Sequence, residues 1–272
     1  MTEPLVSVIV PVWNGADCLE ACLKSIQAQA VEGMEIIVVD DGSTDGTWTL
    51  LQRLSAQDER IRPFRQDNAG VSQARNAGLS YCRGRYIRFV DADDLLPPGS
   101  MQHLLNAAEE STSDLVLGAY TEVLFSQRTH RDLGQCEDTV DSEEFLRRLE
   151  RLSNSFYYGV LWNKLFRGDI IRDRNIRFNP RLVWGEDFSF VMDYCAHAER
   201  IRYTQTAIYD YQRNPKGAVV RQLRRCFFHP FASIKDRWLI YDSYRTLYRR
   251  KGAYGQYRYK LWRYLFRFTL RN

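Results

Sequence analysis

The chain has 272 residues, 44% of them hydrophobic and 26% charged, with a formal net charge of +4. This suits one large α/β domain, or a domain with an appendage, of ordinary soluble composition. No apolar run approaches bilayer-spanning length, the start Met1-Thr2-Glu3-Pro4 lacks a signal peptide's basic and apolar stretches, and the six scattered cysteines form neither a Cys-x-x-Cys pair nor a zinc-like set with histidine.

The cysteines read as reduced thiols of a cytosolic chain, with Cys18 and Cys22 packing one helical turn apart. Residues 5–10 are an apolar, β-branched run ending at Pro11 and predict a buried strand. Asn14-Gly15 signals a turn, and Leu19, Leu23 and Ile26 mark one face of a helix over 16–29. A second strand over 35–39 ends in Asp40-Asp41-Gly42-Ser43, and a helix over 44–56 follows. Strands are expected at 61–65, 86–90 and 114–120, and helices at 70–83 and 97–111. Strands alternating with helices predict a mainly parallel sheet covered on both faces, with ligands bound beyond the strands' carboxyl ends.

Beyond Tyr120 the pattern loosens. Residues 121–140 read as a loop or hairpin, and 141–152 as a helix capped by Asp141 or Ser142. Residues 155–167 are rich in aromatics, Trp184-Gly185-Glu186-Asp187-Phe188 opens another helix, and 200–212 is a strand pair or an extended segment.

Asp91-Ala92-Asp93-Asp94 follows the fourth strand directly. Carboxylates at i and i+2 crowd negative charge, which is unfavourable unless a cation sits between them. A divalent cation shared with a diphosphate is the usual solution; an acidic loop or a helix N-terminus is the other reading.

Residues 221–272 hold 14 Lys/Arg against two acids, and the other 220 residues hold 24 against 32. The basic tail also carries 14 aromatics. Trp238, Tyr241, Tyr244 and Tyr248 recur at helical spacing, as do Tyr257, Leu261, Tyr264 and Phe268. Such a stripe flanked by Arg and Lys suits an interfacial helix on an anionic membrane. A helical hairpin packed on the acidic body, or a homodimer contact, are the alternatives. No recognised nucleic-acid motif accompanies the charge, and no nucleic-acid partner is expected.

Four segments in order resemble the inverting glycosyltransferases of family 2, which have the GT-A fold: Val6-Ser7-Val8-Ile9-Val10-Pro11-Val12-Trp13-Asn14, Glu35 through Asp45, Asn68 through Gly78, and Asp91-Ala92-Asp93-Asp94. Trp162-Asn163-Lys164-Leu165-Phe166 and Gly185-Glu186-Asp187 resemble later motifs of that family. The resemblance covers about 5–212. It implies an α/β GT-A domain over 1–215, with a nucleotide-binding half over about 1–120 and an acceptor-binding half over about 121–215, followed by a basic helical extension over 216–272.

It also implies transfer of a hexose from a nucleotide-diphosphate sugar, a UDP-hexose or UDP-N-acetylhexosamine, to a glycan or lipid-linked acceptor in bacterial surface-polysaccharide synthesis. The chain would then sit in the cytoplasm, peripheral on the inner membrane face. By the same resemblance Asp93 holds Mn²⁺ or Mg²⁺, Asp91 lies at the metal or the ribose, and Ala92 between them also contacts the nucleotide sugar. Asp94 is the weaker metal candidate, its alternative being a helix cap. Asp41 accepts from a uracil N–H, the backbone of Pro11, Val12 and Asn14 flanks the base, and Arg75 meets the diphosphate. Asp187 is the general base, with Glu186 in reserve. Trp184, Asn163 and Lys164 are acceptor-side candidates. Gln222-Leu223-Arg224-Arg225-Cys226 has Cys where processive relatives carry Trp, so transfer of one or a few sugars is expected. Neither Gly-x-Gly-x-x-Gly nor a phosphate loop follows the first strand, against a dinucleotide enzyme or a nucleotidyltransferase. A catalytically silent nucleotide-sugar-binding scaffold is the alternative from another class.

Overall fold

The computed structural model describes residues 3–132, 137–152, 156–182, 185–212 and 230–267. The first half alternates as expected: β1 (Val6–Val12), α1 (Leu19–Gln27), β2 (Met34–Asp41), α2 (Thr47–Ser55), β3 (Ile61–Gln66), α3 (Val71–Tyr81), β4 (Tyr86–Phe89) and α4 (Ser100–Ser111). The second half adds β5 (Leu115–Leu124), β6 (Gln127–Arg131), β7 (Thr139–Asp141), α5 (Ser142–Arg151), α6 (Phe156–Gly159), β8 (Lys164–Arg167), α7 (Gly168–Asp173), α8 (Glu186–Cys195) and β9 (Arg200–Gln212). Two helices follow, α9 (Pro230–Arg250) and α10 (Tyr254–Arg267).

These strands form one sheet in the order β3-β2-β1-β4-β8-β5-β9-β7, with β6 paired to β5 as a hairpin. The first half is parallel, as expected; the second half is mixed, because β8 runs antiparallel to both β4 and β5. That single reversed strand restores β5, and through it β9, to the direction of β4. The carboxyl ends of β1, β2, β3, β4, β5 and β9 therefore share one rim, where an open α/β sheet binds its ligands. Residues 200–212 form one long strand rather than a pair.

The pleat divides the core. Val8, Val10, Ile36 and Val38 face α1, α2 and α4 on one side. Ile9, Ile37 and Phe89 face α3, α8 and the aromatic second half on the other. The same second core contains Tyr241, Tyr244, Leu247 and Tyr248 of α9 and Tyr257 and Leu261 of α10, all buried. Phe188 of α8 packs edge-on against Tyr244, and the Tyr248 hydroxyl donates to the Leu146 carbonyl at 2.7 Å.

From Tyr241 to Leu261 the aromatic stripe thus faces the protein. This corrects the expectation that it lies on lipid, and the reason is area: α8 presents apolar surface that these rings remove from water at about 25 cal/mol per Å². Trp238, Tyr259 and Trp262 stay exposed. The side chains of Tyr264 and Phe268 lie outside the described ones. Among the described residues no helix is long and apolar enough to cross a membrane, and Cys18, Cys22, Cys82 and Cys195 are free thiols.

Candidate active site

The rim begins where β1 and β2 end. Asn14 takes a left-handed conformation (φ 50°), receives the Thr44 N–H on its side chain at 2.8 Å and donates its own N–H to the Ser43 hydroxyl at 2.8 Å. Asn14 thereby ties the two strand ends together. Pro11 and Val12 are buried, and Val12 packs into the core. Gly42 is also left-handed (φ 69°), and a Cβ there would stand 2.7 Å from the Asn68 nitrogen, so only glycine fits.

Asp41 is buried, and its carboxylate is already well supplied. Oδ1 accepts from the Gln66 side chain at 2.7 Å and the Ala69 N–H at 2.9 Å, while Oδ2 accepts from the Gly70 N–H at 2.8 Å. One acceptor position remains, on Oδ2. Gln66 and the exposed Trp13 (59% accessible) were not singled out by the sequence reading. A polar residue closing β3 and a large aromatic just past β1 were the available signals.

Asp91-Ala92-Asp93-Asp94 divides into roles by exposure. Asp93 points to solvent, Asp91 is part-exposed, and Ala92 and Asp94 are buried. Asp94 Oδ2 accepts the Tyr209 hydroxyl at 2.8 Å and Oδ1 accepts the Gln212 N–H at 2.7 Å. The Tyr209 oxygen also accepts the Asp91 N–H at 3.1 Å. Asp94 is therefore an anchor onto β9 and not a helix cap: α4 begins only at Ser100, after Gly99. Tyr209, absent from the sequence expectations, is the pin of this loop.

Across the rim, α8 starts at Glu186 behind the left-handed Gly185 (φ 79°). Arg75 reaches it from α3. Its Nη1 donates to Asp187 Oδ1 at 2.6 Å and lies 3.5 Å from Glu186 Oε1, and its Nη2 donates to Asp91 Oδ1 at 3.0 Å. The guanidinium sits over the Phe178 ring, 5.5 Å from its centre, and Phe178 stacks on Phe190. Burial pushes the Asp187 carboxyl up to about 8; Glu186 and Asp91 push the same way, and Arg75 and Lys164 oppose them. A helix N-terminus alone would act in the opposite direction, so desolvation wins here.

The structure brings Arg75, Asp91, Glu186 and Asp187 together. Asn163 and Lys164 it does not. Both are fully buried. Lys164 Nζ donates to the Tyr157 and Val160 carbonyls at 2.9 and 2.6 Å and to Asn163 Oδ1 at 2.8 Å, and the Asn163 amide donates to the Tyr157 carbonyl at 3.1 Å. Acceptor contact is corrected to a packing role, because every donor in the pair is turned into the chain. Trp184 lies outside the described residues.

Asp91 and Asp93 fit a hard divalent cation. Both offer oxygen ligands at a partly open loop, and such ions are held by one or two carboxylates plus substrate phosphates and water. Among the described residues no group of three or more His, Cys, Asp or Glu side chains is placed to hold a metal ion by itself.

An α/β rim with a carboxylate loop facing a half-buried acid at a helix start is the arrangement of a GT-A glycosyltransferase core. The glycosyl transferase family 2 model matches residues 7–167, and the chain belongs to that family. It is 30% identical over 215 residues to the uncharacterized glycosyltransferase EpsJ of Bacillus subtilis, covering 79% of this chain and 62% of EpsJ. It is 30% identical over 260 residues to the cholesterol galactosyltransferase of Borreliella burgdorferi, covering 92% and 69%. The chain thus spans about three fifths of EpsJ. Among solved structures, S. aureus TarS 1-349 in complex with UDP-GlcNAc superposes with a TM-score of 0.70 at 23% identity, covering 88% of this chain and 66% of that one. The mannosyltransferase PcManGT of Pyrobaculum calidifontis, in complex with GDP-Man and Mn²⁺, gives 0.62 at 18% identity, covering 94% and 76%.

Proposed function

We propose that this chain is an inverting glycosyltransferase that moves one hexose or N-acetylhexosamine from a UDP-sugar to a hydroxyl of a glycan or lipid-linked acceptor. The observation that carries this reading is the meeting of two acidic groups across one rim: the part-open Asp91-Asp93 loop on one side, the half-buried Asp187 on the other, joined through Arg75. The acceptor oxygen attacks the anomeric carbon and the new C–O bond forms. The bond from that carbon to the diphosphate oxygen breaks, and its electron pair leaves with the nucleoside diphosphate. Asp187 takes the acceptor proton, Glu186 being the reserve base. Attack opposite the leaving group inverts the anomeric centre.

Asp91 and Asp93 would hold Mn²⁺ or Mg²⁺, which supplies Lewis-acid neutralisation of the leaving diphosphate. The choice of uridine rests on Asp41. Uracil offers one N–H donor on its pairing edge, whereas guanine offers an N–H and an amino group. With Oδ1 taken by Gln66 and Ala69, and Oδ2 by Gly70, Asp41 has room for one more donor. Exposed Trp13 at the same rim is placed to cover a base.

The outer side of the α9–α10 hairpin, with exposed Trp238, Arg249, Arg258 and Tyr259, supports docking on an anionic membrane where a lipid-linked acceptor resides. The deciding experiment is a donor panel of UDP-glucose, UDP-galactose, UDP-N-acetylglucosamine and GDP-mannose. Nucleoside diphosphate release is followed with Mn²⁺ and with chelator. Metal-dependent UDP release from one donor is expected; release of GDP alone, or of neither, contradicts the reading.

A further inference from the structure

Arg75 was expected to meet the diphosphate, yet its side chain is only 5% exposed and its fork is directed elsewhere. One nitrogen holds Asp187 and the other holds Asp91, residues 96 apart in the chain that belong to the two sides of the site. Phe178 supports the guanidinium plane from beneath, and Asn76, the next residue on α3, fixes Phe178 by two backbone hydrogen bonds, 2.8 Å to its N–H and 2.9 Å to its carbonyl. A planar fork so held has no freedom to choose its partners.

We propose that Arg75 is a positioning residue for proton abstraction: it fixes Asp187 through Oδ1 and leaves Oδ2 as the oxygen that takes the acceptor proton, while Asp91 anchors the other arm of the fork. The proposal rests on the reading of Asp187 as base. It differs from diphosphate binding in what it demands. A diphosphate ligand stabilises donor binding, whereas a positioning residue acts on turnover through Asp187 alone. Lysine cannot replace it, because a single ammonium on a flexible stem does not span both carboxylates in one plane.

The test is a double-variant cycle on the full chain with Arg75→Lys, Asp187→Asn and the two combined. UDP binding is measured by calorimetry with Mn²⁺, and turnover by UDP release from the panel donor that wild type uses. Thermal unfolding checks that each variant is folded. Arg75→Lys is expected to lower kcat at least 30-fold with the UDP Kd within about threefold of wild type. In the Asp187→Asn background the same change is expected to cost less than threefold, because its route of action is gone. A tenfold rise in UDP Kd with kcat unchanged would assign Arg75 to the diphosphate and overturn the proposal. So would losses that multiply in the double variant. If Arg75→Lys does not fold, Phe178→Leu keeps the arginine and removes its platform. A kcat loss of about fivefold at constant UDP Kd is expected there, and wild-type kcat overturns the proposal. Full turnover by Asp187→Asn alone is a distinct failure: it sinks the base assignment, and the positioning role with it.

Discussion

The indole of Trp162 lies flat on the ring of Tyr209, centroids 4.6 Å apart and planes 12° from parallel, and the Tyr209 hydroxyl joins Asp94 to the Asp91 backbone. Trp162 also stacks on Tyr211, 5.4 Å away. The Trp162-Asn163-Lys164 segment therefore reaches the acidic loop through an aromatic ring, while its polar members look inward. Removing the hydroxyl isolates the consequence. Tyr209→Phe keeps the stack but leaves Asp94 Oδ2 and the Asp91 N–H without their partner, a cost of about 1–3 kcal/mol. Urea unfolding is expected to show that loss, and a Mn²⁺ titration of UDP release is expected to need several-fold more metal. Unchanged metal dependence would detach the pin from the loop's function.

Asp187→Asn keeps the size and a hydrogen-bond acceptor for Arg75 and removes the basicity. General-base loss costs about 10²–10⁴-fold in rate. The expected result is that drop in kcat with UDP affinity and inversion-competent folding preserved, as read by calorimetry and thermal unfolding. Arg75 retains Asp91 and Glu186 as counter-charges, so the variant is expected to fold.

The rate should follow the protonation of Asp187. Its pKa is raised to about 8 by burial, with Glu186 and Asp91 adding to the rise and Arg75 and Lys164 opposing it. A base must be ionised to act, so kcat/KM of the free enzyme is expected to fall as pH drops below about 8, approaching tenfold per unit. An ordinary aspartate would stay ionised down to about pH 4. A profile flat from pH 8 to 5 would assign the proton to another group.

Which of these features the sequence disclosed has a physical pattern. Runs such as Val6–Val12 and Met34–Asp41 announce themselves because burial on both sheet faces demands a nearly continuous apolar stretch rich in Val and Ile, and the acidic and glycine clusters fall at their ends for the same topological reason. The Arg75–Asp187 pair spans 112 positions, and sequence separation carries no distance. Tyr209 reads as one more residue of an extended segment until the strand beside Asp94 is known. The tail shows the limit of periodicity: spacing at 241, 244 and 248 establishes an apolar face but not what covers it. The short β8 was hidden among aromatics whose neighbours make it a strand.

Lys164 gives a stability prediction with a definite sign. It is fully buried, its ammonium donates to the Tyr157 and Val160 carbonyls and the Asn163 amide oxygen, and burial pulls its pKa down to about 7. In the unfolded chain it keeps its proton to about pH 10.4. Between those values the unfolded state binds more protons, so its contribution to stability is fully present above the unfolded pKa and is lost as pH falls through about 7. Relative to Lys164→Met, wild type is therefore expected to gain stability between pH 7 and 9, by up to about 1.4 kcal/mol per unit. Urea midpoints of both proteins at the two pH values measure it; a constant difference would mean that the amine keeps its proton when folded.

The two sides of the α9–α10 hairpin should fail in different ways. Tyr244 is buried against Phe188 of the base-bearing helix, so Tyr244→Ala is expected to destabilise the fold by about 3–5 kcal/mol. Trp238 and Tyr259 are exposed, so alanine at both is expected to leave the unfolding temperature within about 1 °C. If the outer side meets lipid, the same pair should weaken co-sedimentation with phosphatidylglycerol vesicles at least fivefold. Arg249→Glu with Arg258→Glu should weaken it further, since each basic residue near an anionic surface contributes about 1 kcal/mol. Neutral phosphatidylcholine vesicles should bind none of the proteins. Equal sedimentation of wild type and both outer-side variants with anionic vesicles would confine the hairpin to its inner task of holding α8 in place.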